Sequence, residues 1–238
     1  MRNLIAPLGL MIAAACGGGA QLSLSTRAGS AASTAPTALT KPATVTSSSL
    51  TLSNGITIDR LRLVVRKLEL ERASATPNDL ADLQEFEAGP FFIDLSGPAL
   101  SGSVQAQVMA SVPSGAYREV KFEVHKPDTS EPGVSANAGL SAMAAAQASI
   151  IVDGTIDTQP FSFVTSVTGE QKFDGSFQVD TGAQNVTLNI DVTGWFGGSG
   201  TARLDPNDPS QRSQIENNIQ TSFKVFDDDN RDGHADHL

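Results

Sequence analysis

The chain has 238 residues but only one cysteine, Cys16, and it is poor in basic and aromatic residues. A single cysteine excludes a disulfide framework, a thiolate zinc site and a Cys-x-x-Cys redox motif within one chain. The 16 Lys and Arg are outnumbered by 26 Asp and Glu, so the formal charge is −10 and a phosphate backbone would be repelled. We therefore expect no nucleic-acid partner. With one Trp, one Tyr and eleven Phe that lie mostly at predicted strand positions, the chain also offers few exposed rings on which a sugar could stack.

The amino-terminal segment predicts secretion. Arg2 supplies a positive charge, and residues 4–15 form an apolar stretch of 12 residues that ends in small side chains. Because a bilayer core about 30 Å thick needs roughly 20 helical residues, this stretch is too short for a permanent membrane span. We therefore predict a signal peptide over residues 1–15.

Cys16 follows Ala13, Ala14 and Ala15 directly, and this arrangement resembles a bacterial lipobox. The resemblance implies cleavage just before Cys16 and acylation of its thiol, so that Cys16 becomes a membrane-held mature amino terminus. Gly17 follows, rather than the aspartate of an inner-membrane retention signal, which favours the outer membrane of a cell envelope. The alternative is an ordinary signal peptide that is cut after one of the alanines and leaves Cys16 as a free thiol.

Residues 16–49 predict a flexible tether behind the lipidated cysteine. Gly, Ala, Ser, Thr and Pro dominate this segment, whose only charged residues are Arg27 and Lys41. A coil of this length has an end-to-end distance of about 30 Å. We therefore expect the folded body to stand clear of the lipid headgroups.

Residues 50–196 predict an all-β domain. Asn54-Gly55 lies between two alternating runs and predicts a hairpin, and a shift in the alternation near Arg66-Lys67 predicts a β-bulge. Further short strands follow at regular spacing with turn residues between them, which favours an antiparallel β-sandwich. Residues 79–87 have the spacing of a short helix, and residues 136–149 fit either a helix or a loop.

The run VPSGAYREVKFEV, residues 112–124, resembles the Pro-x-Gly-x-Tyr strand entry of prealbumin-like and carboxypeptidase-regulatory-like sandwiches. In this reading Gly115 permits the turn, the Tyr117 hydroxyl anchors it, and Val120, Phe122 and Val124 fill one face of the strand. Residues 51–238 are also similar to a family of bacterial envelope lipoproteins of unassigned function. These resemblances imply a prealbumin-like, Ig-like or carbohydrate-binding-like sandwich and carry over no catalytic or binding residue.

Residues 197–238 predict a linker, an amphipathic helix and an acidic loop. Asp208 is a plausible N-cap, with Pro209 at the first helical position and Gln211 three residues after the cap. One apolar stripe follows at helical spacing. Its members are Ile215, Ile219, Phe223 and Phe226.

The acidic loop has the ligand spacing of a calcium site. Numbering from Asp228 as position 1, oxygen ligands fall at alternate positions and glycine at position 6. The candidate ligands are Asp228, Asn230, Asp232, the backbone carbonyl of His234, and Asp236. The pattern resembles EF-hand-like and dockerin-like loops, but position 12 would be residue 239, so we expect weak binding with a Kd of the order of 10⁻⁴ to 10⁻³ M. The alternative is a solvated acidic tail that binds nothing specific.

No catalytic motif stands out in the sequence. The three histidines lie outside any His-Glu-x-x-His pattern, and no serine occupies a Gly-x-Ser-x-Gly elbow. We therefore predict that the protein is not an enzyme but a lipid-anchored binding module that contacts a protein. A purely structural envelope role and a carbohydrate-binding surface module are the alternatives.

Overall fold

The computed structural model describes residues 20–29, 49–73, 85–100, 102–180, 184–198 and 202–236. These residues fold into two sheets that are mostly antiparallel, so the predicted all-β sandwich is confirmed. The strands are β1 (Ala20–Gly29), β2 (Leu50–Thr51), β3 (Thr57–Arg72), β4 (Glu85–Ala88), β5 (Phe91–Ser96), β6 (Gln105–Val112), β7 (Gly115–Val124), β8 (Ile150–Ile156), β9 (Gln159–Thr165), β10 (Gly169–Val179), β11 (Gln184–Asp191) and β12 (Phe223–Asp227). Two helices are described, α1 (Ala138–Ala145) and α2 (Arg212–Gln220). Cys16 and the predicted signal peptide lie outside the described residues.

The smaller sheet has the strand order β12-β11-β1-β6. Its strand β1 lies within the segment that the sequence predicts to be a tether. Strand β1 pairs in parallel with β11 and antiparallel with β6, so it lies inside the sheet. Leu22 and Leu24 on β1 are almost completely buried in the sandwich core. The prediction of a flexible tether is therefore wrong for residues 20–29, because alternate side chains of this segment fill the core.

The larger sheet is organised around β3, a strand of 16 residues. One edge of β3 pairs with β8 and then with β7, and the other edge pairs with β2, β5 and β4. The register shifts between Val65 and Lys67, which confirms the predicted bulge. The bulge lets apolar side chains face the core on both sides of it, including Leu63 and Leu68.

The sandwich core lies between the inner faces of the two sheets. Val120, Phe122 and Val124 on β7 contribute to it as predicted. A second, smaller cluster forms where α1 packs on the outer face of the larger sheet, with Met143 as one of its members. Residues 136–149 therefore contain a helix, which begins after its N-cap residue Asn137.

Two predicted turns form with differences in detail. Asn54-Gly55 does connect β2 to β3, but Gly55 has a positive φ of 84° and Asn54 does not, so the turn is wider than a two-residue type I′ turn. The Tyr117 hydroxyl donates a hydrogen bond of 2.5 Å to the Pro113 carbonyl, as the sequence predicts.

Two helix predictions need correction. Residues 85–87 of the predicted short helix belong to β4, which pairs with β3, and residues 79–84 lie outside the described residues. At the carboxyl end, Asp208 caps a short 3-10 turn that leads into α2, as expected. However, α2 ends at Gln220, and Phe223 and Phe226 lie in β12 rather than on the helix. The hydroxyls of Thr221 and Ser222 bond to carbonyls of the last helical turn, and the chain then joins β11.

Candidate functional site: the carboxyl-terminal loop and the charged groove

The outer surface of the smaller sheet carries a row of polar side chains, which we call the polar face. Because β1 and β11 pair in parallel, each polar residue of one strand lies beside a polar residue of the other. The pairs are Ser23 with Asn185, Ser25 with Thr187, and Arg27 with Asn189. The Ser25 hydroxyl donates to the Asn185 side chain at 2.6 Å, so the two strands are linked through side chains as well as backbone.

The polar face is covered by residues 228–236, the C-terminal loop. The Arg231 guanidinium donates to the Ser23 hydroxyl at 3.1 Å, and the Asn185 amide donates to the Asp228 carbonyl at 2.7 Å. Arg27 donates to the Gly102 carbonyl at 2.8 Å and lies 3.5 Å from the Gly233 carbonyl. These contacts explain why serine, threonine and asparagine side chains on an outer face are buried.

Asp228 is the buried acid of the C-terminal loop. Its carboxylate accepts hydrogen bonds from the Thr187 hydroxyl at 2.8 Å and from the Gly233 N–H at 3.2 Å. Burial raises the pKa of Asp228 above its ordinary value, the hydrogen bonds oppose this rise, and the nearby charge of Asp232 adds to it. Asp228 therefore ties the loop to β11 at an electrostatic cost.

The other candidate calcium ligands lie on the same turn, where the side-chain oxygens of Asn230, Asp232 and Asp236 already accept hydrogen bonds. Asn230 accepts from the Asp232 N–H at 2.8 Å, and Asp232 accepts from the His234 N–H at 2.9 Å. Asp236 accepts from the Asp229 N–H at 2.5 Å and from the Asn230 amide at 2.8 Å. Gly233, at predicted position 6, has a φ of 84°, which suits a sharp turn.

Hydrogen bonds close the loop on itself and fasten it to β11. Within the described part of the chain, no group of three or more His, Cys, Asp or Glu side chains is placed to hold a metal ion. Asp236 bonds to the backbone and side chain at the start of the loop, whereas Asp228 bonds to β11. The structure thus brings all five candidate residues into one loop, but as a closed hydrogen-bonded turn.

A charged groove of about 450 Å³ lies on the larger sheet. It lies beside the β3 bulge, where Gly89 approaches so closely that a Cβ there would clash with the Arg66 carbonyl. The charged lining residues are Arg66, Lys67, Glu87, Glu123 and Glu131. Arg66 bonds to Glu131 at 2.6 Å, and Lys67 forms ion pairs with Glu69 and Glu87 that raise the pKa of Lys67. The groove therefore presents paired charges of both signs.

The tryptophan and the tyrosine are poorly placed to hold a sugar. Trp195 is fully buried, and its indole N–H donates to the Ser222 hydroxyl at 2.7 Å. Tyr117 is also buried. Among the described residues, Met109 at 64% exposure is the large hydrophobic side chain that stands out to solvent. The surface is thus dominated by polar and charged groups.

Sequence reasoning missed the polar face and the groove. The polar face depends on β1, which composition assigned to a tether, although Leu22 and Leu24 alternate there with Ser23 and Ser25. The groove depends on partners far apart in the chain, since Arg66 and Glu131 belong to segments 65 residues apart.

Comparison of the chain with protein-family models, with curated proteins and with solved structures found no match. None of the helices formed by the described residues has both the length and the apolar character needed to cross a membrane.

Proposed function

We propose that the protein is a cell-envelope lipoprotein, acylated at Cys16 and held in the outer membrane, whose β-sandwich contacts another protein. The observation that carries this proposal is the position of Cys16. It follows the signal-like apolar stretch directly and comes four residues before β1, the first described strand. Several acyl chains on one residue would anchor the body firmly, because each buried methylene contributes about 0.8 kcal/mol.

Protein contact is favoured over sugar binding by the chemistry of the surface. The tryptophan and tyrosine are buried, whereas the charged groove offers hydrogen-bond donors and acceptors of both signs. The proposal assigns no catalytic residue. A glycan array probed with the purified body distinguishes the alternatives, because specific sugar binding would contradict protein contact through the groove.

Replacing the proposed anchor should release the protein from the membrane. In the bacterial envelope, C16S is expected to move from the detergent phase to the aqueous phase on detergent partitioning, because serine offers no thiol for thioether-linked acylation. The matched control is G18S, which changes a neighbouring small residue and should stay with the membrane. A mature polypeptide that starts elsewhere than Cys16 by intact mass, or a C16S protein that remains membrane-bound, would overturn the proposal.

We further propose that the C-terminal loop binds calcium weakly, with exchange of some of its internal hydrogen bonds for metal contacts. With a Kd of about 1 mM, calcium at about 10 mM would stabilise the fold by about 1.4 kcal/mol and raise the melting temperature by a few degrees. D232N is the matched variant, since an amide can still accept the His234 N–H but has no charge. We expect calcium to shift wild type and not D232N. Melting temperature is a better readout than tryptophan fluorescence. Trp195 bonds to Ser222, at the opposite end of β12 from Asp227, and so lies away from the C-terminal loop. An unchanged wild-type melting temperature at this calcium concentration would contradict the proposal.

A further inference from the structure

The distance from Cys16 to the folded body is short. Strand β1 begins at Ala20, so only Gly17, Gly18 and Gly19 separate the cysteine from it. Four residues of fully extended chain span at most about 14 Å. The body therefore cannot stand 30 Å from its anchor, as a coil over residues 16–49 would have allowed.

Strand β1 cannot easily be withdrawn from the sheet to lengthen this connection. Ala20 is 5% exposed and pairs with Val112 of β6. The pairing with β11 then continues without a break from Leu22 to Gly29. Peeling the strand away would expose Leu22 and Leu24 and break two ladders of backbone hydrogen bonds.

The elements around Ala20 define one end of the sandwich, which we call the Ala20 end. The turn Pro113–Ser114 follows Val112 directly and is held by the Tyr117 hydroxyl and by Arg72, which donates to the Ser114 carbonyl. Gly115, the next residue, pairs with Val179 at the end of β10. Both sheets therefore contribute strand ends and a turn to this end.

Beside β1, the strands of the larger sheet lie along nearly the same axis as the strands of the smaller sheet. Strand β10 begins at Gly169, which lies close to the Phe223 ring, and Phe223 pairs with Ile190 near the other end of β1. Since β10 ends at the Ala20 end, it spans the same length of the sandwich as β1 does. The larger sheet thus shares the axis of the smaller sheet there.

Strand β3 extends from the Ala20 end to a tip of the body far away from it. Arg72 lies at the Ala20 end, where it pairs with Tyr117, and Thr57 lies at the opposite end of the strand. With a rise of about 3.3 Å per residue, β3 measures about 50 Å. The β2–β3 turn, which includes exposed Ser53, lies beyond Thr57 at the far tip.

We propose that the Ala20 end of the sandwich, with the turn Pro113–Ser114, faces the lipid headgroups and that the β2–β3 turn points away from the membrane. This assignment rests on the proposed acylation of Cys16. It places the charged groove beside Arg66, about 20 Å along β3 from the membrane-proximal end. A partner that binds the groove would then approach from the side of the body, close to the membrane.

The membrane-facing end can be tested by site-specific labelling, because the chain has only one cysteine of its own. Acylation consumes the Cys16 thiol, so a cysteine introduced elsewhere is the single site for a fluorescent label. S114C and S53C are matched variants, because both replace an exposed serine in a turn. The acylated protein would be reconstituted in vesicles of phosphatidylethanolamine and phosphatidylglycerol that carry a headgroup-linked nitroxide quencher.

We expect strong loss of fluorescence at S114C and little at S53C. A Gly/Ser insertion of about 12 residues between Gly19 and Ala20 should weaken the quenching at S114C, because the coil then reaches about 20 Å. Equal quenching at both positions would mean that the body lies flat and would overturn the proposal, as would stronger quenching at S53C. Failure of the lipoprotein proposal is separately visible, since the intact mass would lack acyl chains and the protein would not associate with the vesicles.

Discussion

Deleting residues 17–29 is expected to abolish cooperative folding. From its composition alone, this segment is predicted to be a tether, and its deletion would then leave the domain intact. In the structure its last ten residues are β1, between β6 and β11 in the smaller sheet. Circular dichroism and thermal melting of the truncated protein would show whether a folded state remains.

The expected loss of folding free energy is comparable to the usual stability of a domain. Truncating one buried leucine to alanine typically costs 2–5 kcal/mol, so losing both Leu22 and Leu24 costs about 4–10 kcal/mol. Removing the strand also leaves β6 and β11 without their shared neighbour. The free energy of unfolding of a domain is about 5–15 kcal/mol, so these losses together leave little or no net stability.

The matched control is a protein that starts at Gly17 and keeps β1. We expect it to melt cooperatively, because it retains every described strand. A deletion of residues 17–29 that melts at the same temperature as this control would show that β1 does not belong to the sandwich.

The second large effect is expected at Asp228. D228A should lower the free energy of unfolding by about 2–4 kcal/mol, because it leaves the buried Thr187 hydroxyl and the Gly233 N–H without their acceptor. D228N keeps an oxygen for Gly233 and an amide that can donate to Thr187, so its cost should be much smaller. Urea unfolding at neutral pH measures both changes.

The pH dependence of these variants follows from the direction of the pKa shift. Burial raises the pKa of Asp228, so the folded state holds the proton more tightly than the unfolded state does. The stability contributed by the protonated acid is therefore complete below the ordinary Asp pKa of about 3.9 and is lost as pH rises through the higher folded value. D228N cannot ionise, so its stability relative to wild type should increase from acidic to neutral pH.

The control for urea unfolding at neutral pH is D232N, which changes an exposed acid on the same loop. It should leave the free energy of unfolding nearly unchanged, since Asp232 is exposed to solvent. If D228A were as stable as D232N, the C-terminal loop would not be fastened to β11 through Asp228. A stability of D228N relative to wild type that falls as pH rises would contradict the assigned direction of the shift.

The sequence was informative wherever a pattern was local. Strands from β5 to β11 and the bulge after Val65 follow from alternation and turn residues within short windows, and the Tyr117 anchor follows from a resemblance to a short strand-entry motif. Strand β1 was missed because its polar side chains resemble linker composition. Their burial depends on β11 and on the C-terminal loop, and no local pattern reports such distant partners.

The error at the end of α2 has a related cause. Phe223 and Phe226 continue the helical spacing of Ile215 and Ile219, yet they belong to β12. Apolar residues in a strand of five residues can match a helical period by coincidence. Residues 223–227 form a strand because they pair with β11. The candidate calcium residues were found as a group for the opposite reason, because a loop of nine residues is contiguous in sequence.

The position of β1 also has a consequence for the order in which the chain can fold. Ser25 bonds to Asn185 across 160 residues of sequence, and Ser23 bonds to Arg231 across 208. A ribosome makes β1 well before its parallel neighbour and its cover, whose bonded residues lie 160 and 208 residues further along the chain. The smaller sheet must therefore close late, and folding dominated by such distant contacts is slow. Until then β1 has to remain soluble, which its alternating serine residues favour.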